Sequence, residues 1–290
     1  MRFSYAEALT HVEYYVPLAQ AAERAGFTSM TVPDSVIYPR ESDTRYPYTD
    51  DGDRGFLEDK DFVETMILIT HLAAATTTLR FTPFVLKLPI RPPVLVAKQA
   101  ASVAVLSNNR LGLGVGLSPW PEDFVAMGVP WEQRGRRTDE CIDIIRGLTA
   151  GGYFAYSGEF FEVPSMKQSP VPTRPIPILV GGHADGALRR AVVKGDGWMH
   201  AGGDAADLER MLDRLAEIRR AEGDQRDAFE VHVISLDAYS VDGVKRLEDR
   251  GVTDCIVGFR SPYITGQDPE PLDAKLAAID WFAENVIHRL

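Results

Sequence analysis

Residues 80–120 read RFTPFVLKLPIRPPVLVAKQAASVAVLSNNRLGLGVGLSPW. Two strongly apolar runs, 81–88 and 111–117, flank a helix-like segment over 93–106. A strand, a crossover helix and a second parallel strand make a βαβ unit. The second strand carries Gly112, Gly114 and Gly116 at alternate positions, so these three share one face while Leu113, Val115 and Leu117 share the other. A strand face without side chains marks a close approach by something else. Two occupants remain open here, a flat ring or large neighbours inside a barrel. The dinucleotide fingerprint is not met. Gly116 is followed by Leu117-Ser118-Pro119-Trp120-Pro121, which reads as a loop, where G-x-G-x-x-G would open a helix at once.

The same alternation recurs on both sides of this unit. Residues 2–7 predict the first strand, and 12–25 place Val12, Tyr15, Val16, Ala19 and Ala22 on one helical stripe stopped by Gly26. A strand over 27–32, a long loop over 33–60 and a helix over 61–75 lead back to residue 80. The loop is rich in Pro, Gly, Asp and Arg, and a loop of that length in a compact domain is a lid, a binding loop or an interface. Beyond Trp120, residues 134–149 set Cys141, Ile144, Ile145 and Leu148 at helical spacing. Segments 153–156 and 159–163 flank Ser157-Gly158, a hairpin signal, and five prolines punctuate the connection that follows, making 151–177 an excursion. Strands at 178–180, 197–200, 229–236 and 254–258 then alternate with helices at 184–194, 205–222, 241–250 and 272–286. Eight strand–helix units predict an α/β fold, a (β/α)8 TIM barrel with one domain over residues 1–290.

The composition, with 45% hydrophobic and 25% charged residues, is that of a globular chain able to bury a large core without staples. A net charge of −11 argues against a nucleic-acid partner, which needs a basic face. Cys141 and Cys255 lie among apolar residues without ligand spacing, so buried reduced thiols are expected. Residues 2–7 are too short and charged for a signal h-region, and no apolar run reaches the ~18 residues of a membrane span. The expectation is a cytoplasmic protein with no membrane partner.

In such barrels the chemistry sits on loops after the carboxyl ends of the strands. That rule selects His11, Asp34, Lys87, Arg91, Trp120, Glu122, His183 and His200. A mouth histidine serves as acid or base, or orients a neighbour or cofactor. His71 and His288, on an apolar helix and the tail, read as structural or solvated. Metal binding lacks H-E-x-x-H or paired His/Cys spacing, and Ser-His-Asp hydrolysis lacks a G-x-S-x-G elbow. Gly181-Gly182-His183-Ala184-Asp185 is the best anion candidate, because two glycines admit close approach and the following helix presents its first amides. A plain strand-to-helix turn is the competing reading of the same residues.

The segment AKQAASVAVLSNNRLGLGVGLS, residues 97–118, resembles the strand–helix–strand signature of the luciferase-like monooxygenase family. Residues 128–135 (GVPWEQRG), 178–182 (ILVGG) and 195–198 (GDGW) resemble three further family segments in order. The resemblance covers roughly residues 80–200 and implies an oxidoreductase using coenzyme F420 for hydride transfer or, alternatively, an FMN-dependent monooxygenase. It implies a non-proline cis peptide at Phe84–Val85 buttressing the cofactor ring, and a cofactor phosphate held at the 181–184 turn. The cofactor contacts it implies are Phe84, Val85, Lys87, Gly114, Gly116, Ser118, Gly181, Gly182, His183 and Ala184. His11, Asp34, Glu122 and His183 are the catalytic candidates. Deazaflavin-dependent members show Asp-His after the second strand and an acid just after the strand glycines. This chain departs at both places, with Asp34-Ser35 and with Pro119, Glu122 coming only later. Family members are often dimers, a small organic molecule is the expected substrate, and a two-component system would add a flavin or F420 reductase as partner.

The polar 33–60 loop favours hydride transfer over an oxygen adduct, which needs an ordered apolar lid, although Tyr38, Tyr46, Tyr48 and Phe56 offer walls for a substrate pocket. The departures at Ser35 and Pro119 leave a non-catalytic flavin-binding barrel open as a reading from another class. An aldolase-type barrel ranks last, since Lys87 is the sole lysine inside a predicted strand.

Overall fold

The computed structural model describes residues 1–290 apart from Ala8, Pro47, Tyr48 and Asp50. Short β-branched and apolar runs form parallel strands, and the amphipathic segment after each folds back to cover it. The barrel begins with β1 (Arg2–Ala6), β2 (Ser29–Val32), β3 (Arg80–Pro83), β4 (Leu86–Lys87) and β5 (Leu113–Gly116). After the hairpin strands β6 (Phe154–Ser157) and β7 (Glu162–Met166) come β8 (Ile178–Gly181), β9 (Gly197–Met199), β10 (Glu230–Val233) and β11 (Asp254–Val257). The helices are α1 (Tyr15–Arg24), α2 (Thr65–Ala75), α3 (Pro93–Leu106), α4 (Pro121–Ala126) and α5 (Arg134–Thr149). They continue with α6 (Asp185–Val193), α7 (Ala205–Ala221), α8 (Val241–Asp249) and α9 (Leu272–Asn285).

The sheet order is β3-β2-β1-β11-β10-β9-β8-β5-β4, with every pairing parallel. Its two ends, β3 and β4, are halves of one stretch of chain. A further parallel bridge joins Phe81 to Leu111 beside β5, bringing the ends together as a (β/α)8 barrel. The predicted single strand over 81–88 is therefore interrupted. Phe84 and Val85 separate its halves, and the peptide bond between them is cis, as the resemblance implied.

The main core lies between sheet and helices, where Phe3, Phe27 and Phe282 meet with ring centroids 5.3 and 5.5 Å apart. Met66, Leu68, Ile69 and Leu72 of α2 are buried in that core. Inside the barrel, a polar floor carries Arg2, whose Nη2 lies 2.6 Å from Asp254 Oδ2 and 2.7 Å from Glu230 Oε2. His232 Nε2 stands 2.9 Å from Glu230 Oε2, so three ligand-type groups gather there although no spacing in the sequence announced them. Near the mouth the interior turns apolar, with Leu179, Met199 and Ile256 packed against Ala6, Phe84, Val85 and Ile234.

Three local expectations change. Pro121, read as the last residue of the loop after Gly116, opens the helix Pro121–Ala126, since proline suits a first helical position. The hairpin turn falls at residues 158–161 rather than at Ser157-Gly158, because Ser157 already pairs with Glu162. The second helix starts at Thr65, where Glu64 caps it by accepting from Ile67 N. Cys141 and Cys255 are buried and unbridged, and burial pushes both thiols up to about 12. Among the described residues, no helix is long and apolar enough to cross a membrane.

Candidate active site

The carboxyl ends of the strands converge on Val85. A Cβ on Gly116 would stand 2.5 Å from Val85 Cγ2, and one on Gly181 would stand 2.8 Å from Val85 Cγ1. A Cβ on Gly114 would meet the Pro83 carbonyl oxygen at 2.0 Å and Met199 Sδ at 2.9 Å, while one on Gly112 would lie 2.9 Å from Thr82 Oγ1. This overturns the picture of a ring lying on the glycine face. The glycines at 112, 114 and 116 look into the barrel, and the broken third strand and Met199 already fill the space. Large neighbours, the other reading of that face, are what the strand meets. The glycines instead make room for the Val85 bulge, which is what stands at the mouth.

Several mouth residues hold one another and leave little chemistry free. Asp34 accepts from Thr65 Oγ1 and Arg91 Nη2 at 2.8 Å each, and from Lys87 N at 2.9 Å. Both its oxygens are thus engaged, so the expected catalytic acid is a brace between the loop after β2 and the end of β4. Lys87 Nζ lies 2.7 Å from Asp123 Oδ2, which also accepts from Ser118 Oγ at 2.6 Å. Asp123 was not singled out from the sequence, although it takes up two residues expected to contact a cofactor. His11 Nε2 sits 2.9 Å from the Asp268 carbonyl oxygen and therefore donates to it, which ties that loop down.

A second buried network joins the end of β1 to the chain after β11. Glu7 accepts from Tyr5 OH at 2.7 Å and from Arg260 Nη2 at 2.8 Å. Lys275 Nζ lies 2.9 Å from Asp268 Oδ2 and 3.0 Å from Glu270 Oε2. Burial alone would raise the Asp268 carboxyl, but its bond to Lys275 and the Glu270 amide hold it below the usual range. These residues are scattered over the sequence, and only the closing of the barrel brings them together.

Two groups remain chemically available. Glu122, in the first turn of α4, has a buried Oε2 with no hydrogen-bond partner among the described residues. His200 follows β9 and is fully buried, and neither of its ring nitrogens meets a hydrogen-bond partner there. Its ring stacks on His183 at 4.8 Å and 18°. Burial pulls the His200 pKa down to about 4, with His183 adding to the shift. Burial likewise lowers His183, whose Nε2 accepts from Ala201 N at 3.1 Å. Beside this pair, Gly182 has φ +128° and its carbonyl accepts from Trp198 Nε1 at 2.8 Å. Ala184 caps α6 in extended conformation, and a Cβ on Gly186 would meet nothing within 4 Å. Space is thus open beside Gly186 in the first turn of α6, where a helix leaves amides without intrahelical partners.

Above the mouth, the 33–60 loop is organised by aromatic rings. Tyr46 stacks on Trp120 at 5.7 Å, Phe56 meets Tyr46 at 5.2 Å and Tyr263 at 5.0 Å, and Arg54 lies over the rings of Tyr38 and Trp120. Tyr48 falls outside the described residues. A pocket of about 200 Å³ opens between this loop and Trp120.

The model of the family described as luciferase-like monooxygenase matches residues 3–269. An uncharacterized protein of Mycobacterium tuberculosis (strain ATCC 25618 / H37Rv) is 61% identical over 290 residues, covering 100% of each chain. Among solved structures, monooxygenase RslO1 from Streptomyces bottropensis is similar with a TM-score of 0.77 at 15% identity, over 100% of this chain and 99% of that one. The coenzyme F420 dependent tetrahydromethanopterin reductase from Methanopyrus kandleri is similar with a TM-score of 0.75 at 16% identity, over 99% of both chains. At those identities the structural likeness speaks to the barrel.

Proposed function

We propose that this chain, which belongs to the luciferase-like monooxygenase family, binds coenzyme F420 at its barrel mouth and moves a hydride between it and a small organic substrate. The observation that carries the reading is the Val85 bulge, raised at the mouth between Gly116 and Gly181 and next to the open first turn of α6. A flat ring would rest on Phe84 and Val85, and its phosphate would be held by the 181–185 turn. The residues present fit such a group. A diglycine turn gives a phosphate close access to backbone amides, and the stacked His183 and His200 supply a neutral, partly dry wall beside it. The coenzyme, when bound, supplies a carbon that accepts or donates a hydride.

The chain's own residues do the rest. Asp34, through Lys87 N and Arg91, fixes the end of the broken strand. Asp123, through Lys87 and Ser118, fixes the start of the loop after β5. Glu122 is the group we assign to proton transfer, because its buried oxygen is left without an internal donor or acceptor. The His183–His200 pair positions the 181–185 turn. His11 and Asp34 have no catalytic part in this reading.

FMN with oxygen activation is the second reading, supported by the full-length likeness to monooxygenase RslO1. Against it stands a pocket walled by Arg54, Glu58 and Lys60, where an oxygen adduct needs a dry apolar lid. Substrate-dependent turnover under strict exclusion of oxygen separates the two. Bleaching or recovery of F420 absorbance without dioxygen supports hydride transfer, whereas product formed only with reduced FMN and matched by oxygen uptake refutes it.

A further inference from the structure

The pocket between the 33–60 loop and Trp120 holds two cations with no carboxylate in direct contact among the described residues, although Asp268 and Asp59 act on Lys60 from a distance. Arg54 and Lys60 are 9% and 8% exposed, respectively. Among the described residues neither forms a salt bridge. Arg54 lies 5.3 Å from the ring centres of both Tyr38 and Trp120, and its Nη2 donates to the Pro39 carbonyl at 3.4 Å. Lys60 Nζ donates to the Gly266 carbonyl. The pocket's one carboxylate, Glu58, is exposed at the rim. The remaining walls are largely apolar, with Val36, Leu57 and Phe62 among them.

Burying a charge without a counter-charge in contact is costly, and a ligand oxyanion seated between the two cations would offset that cost. The contrast with the whole chain is informative. At −11 overall, the protein repels anions at long range, yet this pocket presents a local positive field between low-dielectric walls. The two cations also differ in kind. Arg54 offers a planar fork held flat by two rings, suited to a planar or tetrahedral oxyanion, and Lys60 offers a compact point charge. By contrast, Lys87 and Arg91, the cations legible at the mouth from the sequence, are taken by Asp123 and Asp34.

We infer that this pocket receives a compact organic anion, an oxyanion group on a flat apolar body, as the substrate of the hydride-transfer reaction. The substrate role rests on the function proposed above, but the binding does not. The oxyanion would lie between Arg54 and Lys60, and the apolar body against Trp120 and Phe62. Both a carboxylate and a phosphate monoester satisfy this chemistry.

The test is calorimetric titration of the full chain with benzoate, phenyl phosphate and benzyl alcohol, with and without saturating F420 or FMN. Either anion should bind at least about tenfold more tightly than the neutral alcohol. Lys60→Gln and Arg54→Gln should each remove about tenfold or more of that preference while leaving alcohol binding unchanged. Thermal melting reports whether each variant folds, and either one alone suffices. The relative strength of benzoate and phenyl phosphate identifies which oxyanion the site prefers. Equal binding of all three compounds, or anion binding unmoved in a folded variant, overturns the inference. So does competition between anion and coenzyme, which would assign the two cations to the coenzyme's own acidic groups. Anion binding with no affinity for either coenzyme would sink the redox reading and leave the pocket assignment standing.

Discussion

A single missing methyl group separates a lumen-facing glycine from a steric collision. Gly114→Ala would push a Cβ to 2.0 Å from a backbone oxygen that cannot rotate away, so a loss of at least about 2–3 kcal/mol of stability is expected. Gly186→Ala, whose Cβ meets nothing, should be neutral or gain about 0.5–1 kcal/mol from helix propensity. Denaturant melts of the two variants check this, and a silent Gly114→Ala would contradict the packing described. His200 adds a pH signature. Its folded pKa of about 4 lies below the ordinary 6.5, so the neutral ring stabilises the fold above pH 6.5 and that contribution is lost as pH falls through 4. The loss amounts to about 3 kcal/mol at most, and His200→Asn should flatten that part of a stability–pH profile. At the mouth, Glu122→Gln should cut turnover with little change in melting temperature. Asp34→Ala should destabilise by about 3–5 kcal/mol, because it strands Arg91. Asp34 stood out in the sequence for its place after a strand, and that place was right. Its role could not be read, since three partners come from residues 65, 87 and 91.

At the level of elements, periodicity carried the reading well wherever an element has one buried face. The helices at 93–106 and 134–149 begin and end where the pattern put them. It failed where the backbone departs from repeat geometry. The stretch 80–88 has no sequence mark for a break after Pro83, and the glycines that accommodate the break lie on other strands. The short helix at 121–126 was hidden because its proline looks like loop chemistry, although proline also opens helices. The hairpin offers a clean test of element-level wiring. Its turn amides at Glu159, Phe160 and Phe161 all donate to the Glu140 carboxylate on α5. Glu140→Ala should speed hydrogen exchange at those three amides on the order of tenfold or more while leaving barrel strands protected. Unchanged exchange there would mean the carboxylate does not hold the turn.

Across the whole molecule the barrel separates two jobs. Its floor is an internal ion network of Arg2, Glu230, His232 and Asp254, which secures the strand ends far from the mouth. Its mouth combines a raised Val85, an open helix start and a cation-lined pocket under an aromatic loop. The eightfold alternation made the barrel legible, and the strand-end rule selected residues at the end where Val85 and the start of α6 lie. The pocket cations lie in a loop without periodicity, and Glu7, Asp268 and Lys275 lie on a strand end, a loop and a helix far apart in sequence, so only closure of the barrel brings that network together. The central claim is that a ring-bearing coenzyme sits on Val85 with its phosphate on the opening of α6. It is tested most directly by titrating the wild-type chain and Gly186→Glu with coenzyme F420 while following coenzyme fluorescence. The account predicts saturable binding of one coenzyme per wild-type chain, weakened at least about tenfold by the added carboxylate at an unchanged melting temperature. No saturable binding, or equal affinity in the two proteins, would contradict it.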